Sequence, residues 1–122
     1  MASLPTLLVA ACAAWHPGAV GHYDGTVDSK DTQAAEAWIT EDPDGRLSGR
    51  YVLHETARDV PGTLHPVADA GCGEAWFRWE DLYGTGTLRL RFQPGAHCFE
   101  GVWGAGAASP THPWLTCSHA TS

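Results

Sequence analysis

Asp81 poses the sharpest chemical question in this chain. It follows Phe77 and Trp79 at a spacing of two, so on a strand it shares their face. A carboxylate on an apolar face is paired, caps a turn, or meets a ligand. In the plainer reading Asp81 accepts from backbone N–H groups of residues Tyr83–Gly86, at the start of a glycine-rich turn. In the functional reading it is the polar group of a binding mouth, beside Trp79 and Tyr83. Glu80 and Asp81 are not a catalytic pair, because strand neighbours point to opposite faces and cannot flank one bond.

Other reactive types are present without a reactive arrangement. Seven histidines invite a metal, but His16, His65 and His112 each precede Pro, and His97 adjoins Cys98 too closely for two ligands of one tetrahedral site. Neither C-x-x-C nor H-x-x-x-H occurs, so no metal and no cofactor is expected. No G-x-S-x-G or phosphate loop is present, and Gly104-Ala105-Gly106 lacks the strand-to-helix context of one. No catalytic residue is assigned, and the expectation is a protein that is not an enzyme. Arg78, Arg89 and Arg91 share one face, where they either clamp an anion or form a solvated surface balanced by Glu80 and Glu100. Of the six Trp, Trp79, Trp103 and Trp114 read as core, while Trp76 falls on the polar face as a surface contact.

These residues must be positioned by one domain. A chain of 122 residues is one core's worth. A net charge of −7 argues against nucleic acid, whose phosphates need a basic face. The chain opens with a short apolar run, Leu4–Trp15, and its first charged side chain is Asp24. That is the length of a signal segment, too short to span a bilayer. Residues 1–21 read as a leader and 22–122 as the domain. Ala19-Val20-Gly21 offers a cleavage point, and Val9-Ala10-Ala11-Cys12 looks like a lipobox in which Cys12 is lipidated and anchors the domain to a membrane surface. Export is expected, to a periplasmic, envelope-anchored or secreted location.

From Trp38 onward the period is two. Leu47, Gly49, Tyr51 and Leu53 alternate with Arg46, Ser48, Arg50 and His54 after the turn Asp42-Pro43-Asp44-Gly45. Val60-Pro61-Gly62 breaks the chain before a weaker strand at Thr63–Val67. A hairpin centred on Gly84-Thr85 would pair Phe77 with Phe92 and Glu80 with Arg89, with Phe77, Trp79, Leu88, Leu90 and Phe92 inside. Cys98–Trp103 and Trp114–Ser118 follow, and Tyr23–Val27 and Trp38–Glu41 complete about eight strands. Asp31–Ala37 alone has a helix-like composition. Eight short antiparallel strands close into an up-and-down β-barrel, with a two-sheet sandwich as the alternative. Cys98 and Cys117 share the outward parity of neighbouring strands. A register setting Trp103 against His112 makes them a disulfide and leaves Cys72 free, with Cys72–Cys98 as the other pairing.

Gly45–Tyr51 (G-R-L-S-G-R-Y), Phe77–Phe92 and Phe99–Gly104 (F-E-G-V-W-G) together resemble an uncharacterised family of small exported bacterial β-barrel domains, over most of residues 22–117. In architecture the chain is similar to calycin barrels such as avidins and lipocalins. It departs from the lipocalin G-x-W, with Gly21-His22-Tyr23 on the first strand, and carries no avidin biotin motif, so no ligand residue transfers. The resulting expectation is a binding protein that holds a small molecule or short peptide at the barrel mouth, through Trp79, Asp81, Tyr51, Tyr83, Phe92 and Trp103. The alternative is a cell-envelope interaction or inhibitor module acting through Trp76, Arg78, Arg89 and Arg91. A hydrolase or isomerase comes last.

Overall fold

The computed structural model describes residues 19–29, 31–68, 74–92 and 98–118. The readings placed on Cys12, His16, Cys72 and His97 lie outside the described residues. Eight strands follow in order: β1 (Gly21–Asp28), β2 (Thr32–Glu41), β3 (Leu47–His54), β4 (Asp59–Ala68), β5 (Glu74–Asp81), β6 (Gly84–Phe92), β7 (Cys98–Ala105) and β8 (His112–Ser118). Each pairs antiparallel with the next, and β8 returns to β1 from Tyr23↔Ser118 to Val27↔Trp114, closing the barrel. Closure leaves no sheet edge and excludes the two-sheet sandwich.

The alternation assigns the interior as expected. Tyr51, Leu64, Phe77, Trp79, Leu88, Leu90, Phe92, Phe99 and Trp114 are buried in one core, with Tyr23, Val27 and Ile39. Burying such side chains contributes ~1.5–3 kcal/mol each, the main force holding the wall closed. Ala19 is also in this core and accepts a hydrogen bond from Tyr23 Oη at 2.6 Å, so packing begins upstream of residue 22. Tyr23, Phe92 and Phe99 meet as tilted and edge-on rings and fill one end of the barrel.

Three local expectations are corrected. Asp31–Ala37 is not helical: β2 starts at Thr32, and Ala35 and Ala37 point inward. Ala37 lies opposite Tyr51, so a small side chain faces a large one, and pairing overrides the helical preference of alanine. Val60-Pro61-Gly62 does not break the chain but lies inside β4. The β4–β5 ladder runs only as far as Thr63, so Pro61 occupies a stretch paired on one side, where a missing N–H is tolerated. The β5–β6 hairpin turns on Leu82-Tyr83, two residues before the expected centre, so each residue's partner shifts by four, with Phe77↔Leu88 and Trp79↔Gly86. The Glu80–Arg89 and Phe77–Phe92 pairs therefore do not form. A shift of four keeps every side chain on its face, so hydrophobicity does not distinguish the two registers. Gly86 does: a Cβ there would sit 2.6 Å from Trp79 Cε2, so only glycine admits the Trp79 indole.

Trp103 pairs with His112, and Cys98 and Cys117 lie opposite one another, joined by a disulfide. This pairing excludes Cys72–Cys98.

Candidate functional site

The end opposite the Tyr23–Phe92–Phe99 layer is open. A cavity of about 590 Å³ enters the barrel there. It is lined where β1, β3, β5 and β7 finish and where β2 and β8 begin, together with the β3–β4 loop and the Leu82-Tyr83 turn. Tyr51, Trp79, Asp81, Tyr83 and Trp103, expected at the mouth, all line it. Phe92 does not. Its parity is inward, but β6 runs away from the mouth, which puts Phe92 in the aromatic layer at the opposite end. Parity tells inside from outside but not height along the barrel axis.

The aromatic walls are held by their polar ends. Trp79 Nε1 donates to Gly104 O and Trp103 Nε1 to Asp28 O, each at 3.0 Å. The two indoles meet edge to face at 5.8 Å. Tyr51 lies edge-on to Trp114 at 5.4 Å. Trp114 lines the cavity, yet its buried Nε1 finds no acceptor, and the Gln33 Oε1 on the same lining finds no donor. A buried polar atom without a partner costs ~1–3 kcal/mol, so both atoms weigh against the stability of this end of the barrel.

The rim is acidic. Asp31, Glu55 and Asp81 line the cavity, and no Lys, Arg or His is among the described lining residues. Asp81 caps the turn as in the plainer reading, its Oδ1 accepting from the Tyr83 N–H at 2.8 Å, while its Oδ2 accepts from Tyr51 Oη at 2.6 Å on the cavity lining. Burial, then the Asp81 carboxylate, raises the Tyr51 phenol well above its ordinary pKa and keeps it a donor. Tyr83 Oη donates to Glu55 at 2.7 Å, tying the hairpin turn to the β3–β4 loop. Sequence reasoning missed Val27, Gln33, Leu53 and Glu55 in this lining. The available signal was inward parity at the same end of the barrel for the first three and a loop acid for the fourth.

The arginine face does not converge on a common point. The Arg89 guanidinium lies 5.7 Å from the Trp76 ring centre, over a half-buried indole. Arg91 donates to Glu74 at 3.0 Å and faces Glu100, while Arg78 stands between His65 and Thr87. A denser polar cluster lies elsewhere on the outer wall. Glu36 bridges His22 Nε2 and His54 Nε2, each at 2.7 Å, and Asp59 contacts His54 Nδ1 at 2.8 Å. The hydrogen bonds from His54 and His22 lower the Glu36 pKa, while those to Asp59 and Glu36 raise that of His54.

No protein-family model matches the chain, and no curated protein matches it.

Proposed function

We propose that this protein is an exported, non-enzymatic binding protein that takes a small organic cation into the barrel mouth. The observation that carries the reading is a cavity of about 590 Å³ with aromatic walls, a rim of three carboxylates and no basic residue among its described lining. The volume falls within the range of small-molecule sites, above ~300 Å³. Indole and phenol faces attract a cation by ~0.5–2 kcal/mol each, more as water is excluded. Asp81 and Glu55 are already oriented by tyrosine hydroxyls, so little ordering cost remains for the ligand.

The alternative, a module acting through its outer surface, draws less support. Trp76 is half-buried beneath Arg89, and Arg91 is engaged by Glu74. Export is supported by the Cys98–Cys117 disulfide, a bond that persists in oxidising compartments. Between the two leader readings, burial of Ala19 favours lipid attachment at Cys12. Cleavage after Gly21 would remove Ala19 and the acceptor of the Tyr23 hydroxyl. The intact mass of protein recovered from an exporting host distinguishes the two.

The binding test is a titration, followed by tryptophan fluorescence, with matched panels of quaternary ammonium compounds, primary amines and carboxylates of equal size. Cations saturate the signal, carboxylates do not, and Asp81→Asn weakens binding about tenfold, the worth of one charge-assisted contact at ~1.5 kcal/mol. Equal binding of carboxylates, or an unchanged affinity in Asp81→Asn, overturns the reading.

A further inference from the structure

We propose that the outer wall of β1 and β2 binds a divalent transition-metal ion through His22 Nε2, a carboxylate oxygen of Asp24 and a carboxylate oxygen of Glu36. The site is separate from the mouth and follows from the register. His22 and Asp24 are two apart on β1 and share its outer face, and Asp24 lies directly opposite Glu36 on β2. The donor atoms of the three lie within 4.8 Å of one another. His22 Nε2 is 2.7 Å from Glu36 Oε2 and 3.9 Å from Asp24 Oδ1. Neighbouring ligands of one ion at ~2.1 Å each stand ~3.0–3.4 Å apart, so an ion would replace the His22–Glu36 hydrogen bond, opening that pair and drawing Asp24 in by about half an ångström.

The surroundings hold these donors in place. Trp38 stacks on the His22 ring at 4.8 Å with planes 4° apart, and Arg50 covers Trp38 at 4.1 Å. His54, backed by Asp59, holds the second oxygen of Glu36. An imidazole hydrogen-bonded to the far oxygen of a carboxylate is an outer-shell contact of the kind that orients a metal ligand, here Glu36. Asp24, Glu36 and Asp59 also place three carboxylates within this one patch. One imidazole with two carboxylates suits Zn²⁺, Co²⁺ or Mn²⁺ rather than the all-oxygen preference of Ca²⁺. Three protein ligands on a partly exposed wall leave positions for water.

The test is calorimetric titration of the untagged full chain, freed of metal by a chelator, with zinc chloride, and separately with cobalt chloride followed by visible absorption. One equivalent binds per chain. His22→Ala, Asp24→Asn and Glu36→Gln each weaken zinc binding by at least about tenfold while the metal-free circular dichroism spectrum stays that of the wild type. Absence of saturable uptake overturns the proposal. Uptake that all three variants retain at wild-type affinity overturns it as well, since the ion then sits on other histidines.

Discussion

Replacing Gly62 with alanine tests how the barrel wall supports its mouth. Gly62 lies opposite Tyr51 across β3 and β4. A Cβ at Gly62 would stand 2.5 Å from Tyr51 Cε1, where carbon atoms settle at ~3.5–4.0 Å. The ring must therefore move by roughly 1 Å or more. It has little room, being edge-on to Trp114 and bonded through its hydroxyl to Asp81. Overpacking of this kind costs ~1–3 kcal/mol, and loss of a hydrogen bond to a charged acceptor adds ~1.5–3 kcal/mol. The smaller unfolded-state entropy of alanine returns only ~0.4–1 kcal/mol. The net expectation is a loss of about 2–4 kcal/mol. The assay is urea unfolding followed by far-ultraviolet circular dichroism, read as a lower midpoint at constant slope. A second background isolates the cause. Tyr51→Leu removes the ring atoms that the new Cβ would strike, so Gly62→Ala there costs less than ~0.5 kcal/mol. An equal cost in both backgrounds would refute the steric argument and trace the effect of Gly62 to its backbone alone.

Three further outcomes follow from the same geometry. The Cys98→Ser, Cys117→Ser double variant loses about 3 kcal/mol for opening a crosslink of sequence separation 19, read as a fall of roughly 10 °C or more in thermal midpoint; an unchanged midpoint contradicts it. Alkali destabilises the barrel in a defined window. Burial pushes Tyr23 up to about 12 and raises Tyr51, so the stability they contribute is complete below their ordinary value of 10.0 and is lost as pH rises through the raised values. Tyrosinate absorbance from these two should therefore rise together with unfolding above pH 10, and reversible ionisation in the folded state at ordinary values would count against the assignment. Trp79→Phe leaves the Gly104 carbonyl without its indole donor and opens space beside Gly86, lowering stability by roughly 1–3 kcal/mol in chemical denaturation; no loss would mean the indole bond contributes nothing net.

Inward and outward parity was legible from Tyr51 to Trp114, because burial of one strand face leaves a period of two in the sequence. Five of the six residues expected at the mouth line the cavity for that reason, and Phe92 fails because nothing in the alternation marks height along the axis. The β5–β6 register was not legible from hydrophobicity, since both candidate turns put the same side chains inside. The fit of Trp79 over Gly86 decides it, and that needs both strands in view. The disulfide was legible because Cys98 and Cys117 sit on short strands joined by one loop, where a single pairing aligns them. The His22–Asp24–Glu36 group was not. Its members meet only through the β1–β2 register, and the half of β2 that carries Glu36 reads locally as helix.

The Tyr83–Glu55 hydrogen bond joins two separate rim segments, the β5–β6 turn and the β3–β4 loop, at the opening of the cavity. That bond makes the two rim segments one mechanical unit, so a displacement of either is felt by the other.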